Sequence, residues 1–172
     1  KRCTSGVGLA NAMPFTLDPS SESPHVVICG RTGTGKSEFL SALLCDWAER
    51  FAPSELSWVG IDFKGGATLE PLARLPNNRG IVTDLDGRMV DRALDGLAAE
   101  MRDRERALRI EGVSRIEDSR DIGRLVIVVD EYPELIRHFP RASEVLADIA
   151  RRGRSLGVHV VVTTQHTTAI HR

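Results

Sequence analysis

The chain has 172 residues, 41% hydrophobic and 27% charged, with a formal net charge of −1. That is chain enough for one domain with a substantial core and the balance of a soluble globular protein, and its neutrality supplies no bulk attraction to nucleic acid or an anionic membrane, which weakens without excluding a DNA-binding role. No apolar stretch reaches the ~20 residues needed to span a bilayer and no signal peptide is legible, so any membrane attachment is expected from sequence outside this chain. Three cysteines, Cys3, Cys29 and Cys45, have no metal-ligand spacing and point to a reduced, cytosolic compartment.

Residues 1–24 are rich in Ser, Pro and Gly, and Phe15-Thr16-Leu17 reads as a short edge strand before Asp18-Pro19 turns the chain. The apolar run His25-Val26-Val27-Ile28-Cys29 then leads into Gly30-Arg31-Thr32-Gly33-Thr34-Gly35-Lys36-Ser37, which fits G-x-x-x-x-G-K-[ST]. In such a loop the glycines let successive backbone N–H groups converge on phosphates. Lys36 reaches the β/γ-phosphates and the Ser37 hydroxyl sits on Mg²⁺. The pattern needs a strand before it and a helix after it. Glu38 to Phe51 supplies the helix, with Phe39, Leu40, Leu43, Leu44, Trp47, Ala48 and Phe51 at three- and four-residue intervals and Pro53 as the stop. Its positive N-terminal end adds to the cradle, so the expected nucleotide-binding residues are Gly30, Arg31, Thr32, Gly33, Thr34, Gly35, Lys36, Ser37 and Glu38. A glycine-rich turn that binds nothing is the alternative. Cys29, just before the loop, reads either as a redox-sensitive thiol or as a small apolar filler.

Leu56 to Asp62 reads as a strand ending in the tight turn Phe63-Lys64-Gly65-Gly66, which carries a charge at the mouth of the sheet. Thr68 to Leu75 is expected to be a short helix and Ile81-Val82-Thr83 a short strand. Asp84 or Asp86 can cap a long helix whose buried stripe is Val90, Leu94, Leu97, Met101 and Leu108. Between residues 100 and 124, seven arginines alternate with seven acids, the pattern of a solvated, salt-bridge-laced face.

Leu125-Val126-Ile127-Val128-Val129 is an unbroken apolar run, as in a strand buried on both faces, and it ends in Asp130-Glu131. Two adjacent carboxylates are costly to bury, so they are expected at the sheet's mouth, where open α/β sheets bind ligands. Asp130 suits the Mg²⁺ shell. Glu131 suits a base that orients and deprotonates the attacking water, and it argues for an ATPase over a switch lacking hydrolysis. Ser143 to Arg152 reads as a helix. Arg151, Arg152 and Arg154 follow around Gly153; they suit either an arginine presented to a neighbouring subunit or cations complementing a helix C-terminus. Val158 to Thr164 is another buried strand; Thr163, Thr164 and Gln165 close it with polar groups, and a glutamine or threonine there could sense the γ-phosphate or hold the attacking water. Alternating strands and helices predict an α/β fold with a largely parallel sheet, residues 1–172 forming a single domain.

The succession S-P-H-V-V-I-C-G-R-T-G-T-G-K-S-E, I-D-F-K-G-G-A-T-L, V-V-D-E and R-R-G-R-S-L-G-V-H-V-V-V-T-T-Q resembles the FtsK/SpoIIIE family of ring ATPases, and within it the EccC/EssC branch of type VII secretion motors. The resemblance runs from about Gly8 to Gln165, and D-F-K-G-G-A-T and G-R-S-L-G-V-H are its most branch-specific parts. It implies a RecA-like (ASCE) P-loop core in which the strand ending at Gln165 lies between the phosphate-loop strand and the strand ending at Asp130. It also implies a hexameric ring with ATP and Mg²⁺ at subunit interfaces, in the cytoplasmic part of a membrane-anchored protein. Lys36 and Ser37 would contact phosphate and Mg²⁺, Asp130 the Mg²⁺, Glu131 would be the catalytic base and Gln165 the sensor. Three departures stand out: His166 where an arginine is common, Asn77 where a histidine is frequent, and an end at Arg172 before the family's closing strands, which suggests an excised or shortened piece. The translocated substrate is either a secreted helical protein or, alternatively, double-stranded DNA; a non-hydrolysing nucleotide-binding module is the third reading. Arg74, Arg79, Arg151, Arg152 and Arg154 are the candidates for a trans-acting arginine finger.

Overall fold

The structure, a computed structural model, describes residues 5–10, 13–17, 25–63, 65–83, 87–119 and 121–165. Strands β1 (Ser5–Ala10) and β2 (Met13–Leu17) form an antiparallel pair of their own. The edge strand expected at Phe15–Leu17 is therefore longer, and its partner is β1, not the main sheet. The sequence of β1, Ser-Gly-Val-Gly-Leu-Ala, combines two glycines with little polar alternation, which hides it from a periodicity reading.

Five further strands carry the site: β3 (Val26–Cys29), β4 (Leu56–Asp62), β5 (Asn78–Thr83), β6 (Arg124–Asp130) and β7 (Val158–Thr164). Between them run α1 (Lys36–Arg50), α2 (Gly87–Glu111), α3 (Tyr132–His138) and α4 (Pro140–Leu156). All neighbours in the order β3-β7-β6-β4-β5 are parallel. The strand before Gln165 thus lies between the phosphate-loop strand and the Asp130 strand, as the resemblance implied.

Both faces of the sheet are covered, which is why β6 and β7 read as continuous apolar runs. Val126, Val128 and Val161 pack with Leu40, Leu43, Leu44 and Trp47 of α1 on one face. Ile127, Val129, Val160 and Val162 pack on the other with Val90, Leu94, Leu97 and Met101 of α2 and Leu146, Ile149 and Leu156 of α4. Each such side chain withdrawn from water contributes about 1.5–3 kcal/mol, so the two faces together fix the central strands.

Several boundaries differ from the sequence reading for local reasons. Pro140, pre-set for a first helical turn, opens α4 ahead of the apolar period that begins at Ser143. Only Glu70–Leu72 of the helix expected at Thr68–Leu75 forms, as a 3₁₀ turn, and Pro76 closes the segment. β5 begins at Asn78, where Gly80 and a register shift against β4 mask the strand pattern. The caps expected at Asp84 or Asp86 lie outside the described residues.

Arg104 corrects the expectation of a wholly solvated charged helix. It is buried in α2, its Nε donates to Glu100 Oε1 (2.9 Å), and its Nη1 donates to the carbonyl of Leu156 (2.8 Å), satisfying an end carbonyl of α4. Asn77 is likewise structural: fully buried, its Nδ2 donates to the carbonyls of Phe51 (2.9 Å) and Leu56 (2.8 Å). Those bonds tie the α1–β4 connection to the start of β5.

Candidate nucleotide-binding site

The loop between β3 and α1 is shaped by its glycines. Gly33 (φ 79°) and Gly35 (φ 85°) are left-handed, a conformation costly to residues with a Cβ. Gly30 is excluded from substitution differently, since a Cβ there would lie 2.5 Å from Thr34 Oγ1. The Gly30 N–H donates to the Thr164 carbonyl at 3.1 Å, pinning the loop to β7, and Thr34 folds back with its N–H (3.2 Å) and hydroxyl (2.7 Å) on the Arg31 carbonyl. Lys36, 7% exposed, donates its ammonium to the carbonyls of Gly30 and, at 3.0 Å, Arg31. Both acceptors are neutral, so a largely buried positive charge is left facing the loop it closes, and an anion is the group that would compensate it. The residues therefore fit a phosphate. Ser37 is half-buried in the first turn of α1, with its Oγ 3.3 Å from Thr68 Oγ1, and Glu38 beside it is exposed.

The carboxylates stand at the same end of the sheet, as expected, but are buried rather than solvated: Asp130 is fully buried and Glu131 6% exposed. Hydrogen bonds offset that cost. Thr163 donates its hydroxyl to Asp130 Oδ1 and accepts the Glu131 N–H at 2.9 Å. Glu131 (φ 64°, ψ 60°) is left-handed, the one non-glycine residue with positive φ among the described residues. That turn starts α3 and directs the carboxylate towards β7, where Gln165 Nε2 donates to Glu131 Oε2 at 3.2 Å. Gln165 Oε1 in turn accepts from Thr32 Oγ1 at 3.3 Å. A continuous path, Glu131–Gln165–Thr32, joins the carboxylate to the phosphate loop.

Two participants, Asp62 and Thr68, were not singled out from the sequence for this site, and Thr163 was read there only as a candidate sensor or water holder. Thr163 fastens Asp130 and Glu131 to β7, while Asp62, opposite Asp130 in the β4–β6 register, accepts the N–H groups of Thr68 and Leu69 through Oδ2. The signal for Asp62 and Thr68 was the D-F-K-G-G-A-T segment; for Thr163 it was a polar residue closing an apolar strand.

The arginine-finger candidates lie elsewhere. Arg151 and Arg152 pair with Asp148, Arg152 also with Glu105, and Arg79 with Glu100 at 3.5 Å. α4 ends at Leu156 just before β7 begins, so Arg151, Arg152 and Arg154 sit at the end of the sheet opposite the phosphate loop. Arg74 and Arg154 are exposed and have no ion pair among the described residues. Cys29 is exposed, which removes the reading of it as a packed apolar filler. His166 lies outside the described residues.

The model of the FtsK/SpoIIIE family matches residues 6–127. The chain belongs to this family. A relative, the ESX-4 secretion system protein EccC4 of Mycobacterium tuberculosis, is 37% identical over 155 residues, covering 83% of this chain and 12% of that protein. Among solved structures, the cytoplasmic domain of the Thermomonospora curvata type VII secretion ATPase EccC matches with a TM-score of 0.87 at 35% identity, over 96% of this chain and 21% of that one. The same protein's ATPases 2 and 3 in complex with a signal sequence peptide match with a TM-score of 0.83 at 27% identity, over 91% and 30%. The FtsK/SpoIIIE chain described here thus spans about an eighth, 12%, of the length of the curated relatives it matches. Its five-stranded parallel sheet between helices is the RecA-like P-loop ATPase fold of these proteins.

Proposed function

We propose that the chain is an ATP-binding and ATP-hydrolysing motor domain serving type VII-like protein secretion. The observation that carries hydrolysis is the buried, left-handed Glu131, held by Gln165 on a hydrogen-bonded path to the phosphate loop. Strain of this kind at a buried carboxylate is the mark of a position kept for chemistry. Lys36 and the backbone N–H groups of Gly33, Gly35, Lys36 and Ser37 bind the phosphates, and Glu38 adds its N–H at the positive end of α1. Ser37 and Asp130 would hold Mg²⁺, which neutralises charge on the phosphate oxygens when bound. Glu131 Oε accepts the proton of the attacking water, and Gln165 orients that water through the amide now on Glu131. Thr163 holds both acids in place.

The secretion role is supported by kinship with EccC and EccC4 and by a near-neutral charge. The partners that follow are a secreted helical protein bearing a signal sequence and further copies of the motor in a ring, within the cytoplasmic part of a membrane-anchored protein. Steady-state ATP hydrolysis at low salt, with and without long double-stranded DNA and with Lys36→Ala as the blank, tests this. Hydrolysis lost in Lys36→Ala and indifferent to DNA is the expected result. Strong DNA stimulation would replace secretion with DNA translocation, and unchanged ATP affinity in Lys36→Ala would overturn the site.

A further inference from the structure

The D-F-K-G-G-A-T segment, residues 62–68, is the most distinctive stretch of sequence outside the phosphate loop, and the hydrolysis scheme above leaves it unused. It runs from the end of β4 across to the first turn of α1. Its backbone is fixed from within: Asp62 Oδ2 accepts the N–H groups of Thr68 (3.1 Å) and Leu69 (2.9 Å), and the chain closes through two successive left-handed glycines, Gly65 (φ 67°) and Gly66 (φ 79°). The left-handed φ of Gly66 is what disfavours a side chain there, since the nearest atoms belong to the exposed, flexible Glu70 side chain. At one end the Phe63 N–H donates to the Asp130 carbonyl at 3.4 Å. At the other, Thr68 is 7% exposed and its Oγ1 lies 3.3 Å from Ser37 Oγ. One short segment therefore touches both residues assigned to Mg²⁺.

A serine hydroxyl has one proton and two lone pairs and rotates to suit its neighbours. Thr68 Oγ1 donates to Ser37 Oγ, which occupies one of the two lone pairs and fixes the direction in which the other can face a cation. Resting on the nucleotide-site reading above, we propose that Thr68 is a positioning residue: its hydroxyl orients the Ser37 hydroxyl and so sets the affinity of the site for Mg²⁺ with nucleotide. Thr68 is itself held through its backbone N–H by Asp62, so removing the hydroxyl alone leaves the loop anchored.

The test is the affinity of a fluorescent, slowly hydrolysed ATP analogue, measured in Mg²⁺ and in EDTA, for the parent, Thr68→Val and Thr68→Ser. In EDTA, Thr68→Val matches the parent within about twofold, while its Mg²⁺-dependent gain in affinity falls about tenfold or more, the range for a lost outer partner of a metal ligand. Thr68→Ser keeps the gain. Because the effect passes through Ser37, adding Thr68→Val to Ser37→Ala weakens binding no further. If the valine variant does not fold, Thr68→Ala carries the same expectation. A full Mg²⁺-dependent gain in Thr68→Val, or a further loss in the double variant, overturns the role of Thr68. Parental EDTA affinity in Lys36→Ala would instead overturn the nucleotide site itself.

Discussion

Glu131 is where a local rule is broken. A left-handed non-glycine residue costs roughly 1–2 kcal/mol, yet here it links β6 to α3 and turns a carboxylate onto Gln165. At an ordinary position alanine stabilises more than glycine; at a left-handed one the order reverses. Urea denaturation should therefore find Glu131→Gly more stable than Glu131→Ala by about 1 kcal/mol, with both inactive in hydrolysis. Equal stabilities, or a less stable glycine variant, would contradict the strained turn. The identity of the Asp130-Glu131 pair and its place after a buried strand were legible from the apolar run before it. Its backbone conformation was not, because the left-handed turn is imposed by the junction of β6, α3 and the Thr163 hydroxyl, which meet only in three dimensions. Arg104 went unread for a similar reason: its partner carbonyl at Leu156 is 52 residues away in sequence.

Among the elements, β4, β6, β7 and the long helices α1 and α2 were legible because burial on both faces of a sheet, or on one stripe of a helix, writes itself into composition; β3, half exposed at the sheet edge, was legible from its apolar run before the phosphate loop. The elements that were missed or misplaced, β1, α3 and the start of β5, are short or broken by glycine and proline, so neighbours decide them more than their own pattern does. The seam between β3 and β7 has a pH-sensitive clasp. The Val160 N–H donates to His25 Nδ1 at 3.1 Å, which requires the neutral ring. Burial holds the His25 pKa below its ordinary 6.5, opposed by the backbone at Ala150. A depressed folded pKa means the unfolded chain takes up the proton first, so the clasp's stability is full above about pH 6.5 and is lost as pH falls through the folded value. Unfolding free energy measured from about pH 8 to about pH 5 should fall more steeply in the parent than in His25→Gln, whose side-chain oxygen can accept the same N–H. Parallel profiles would remove His25 as the cause.

At the scale of the whole molecule, parallel strands bring the phosphate loop, Asp62, Asp130, Glu131 and Gln165 to one end of the sheet, while Arg151, Arg152 and Arg154 gather at the other. A domain built this way has its phosphate-binding residues and carboxylates in one chain. An arginine acting on the γ-phosphate from Arg151, Arg152 or Arg154 would have to come from a second copy. The central claim is that this FtsK/SpoIIIE domain hydrolyses ATP with Glu131 as base. It is tested most directly by hydrolysis in Glu131→Gln, with nucleotide affinity measured on the same samples. The amide keeps the size and the contact with Gln165 but cannot take the proton, so affinity should stay near the parent's while turnover falls by about 10²-fold or more. A Glu131→Gln variant that hydrolyses ATP as fast as the parent would contradict the account.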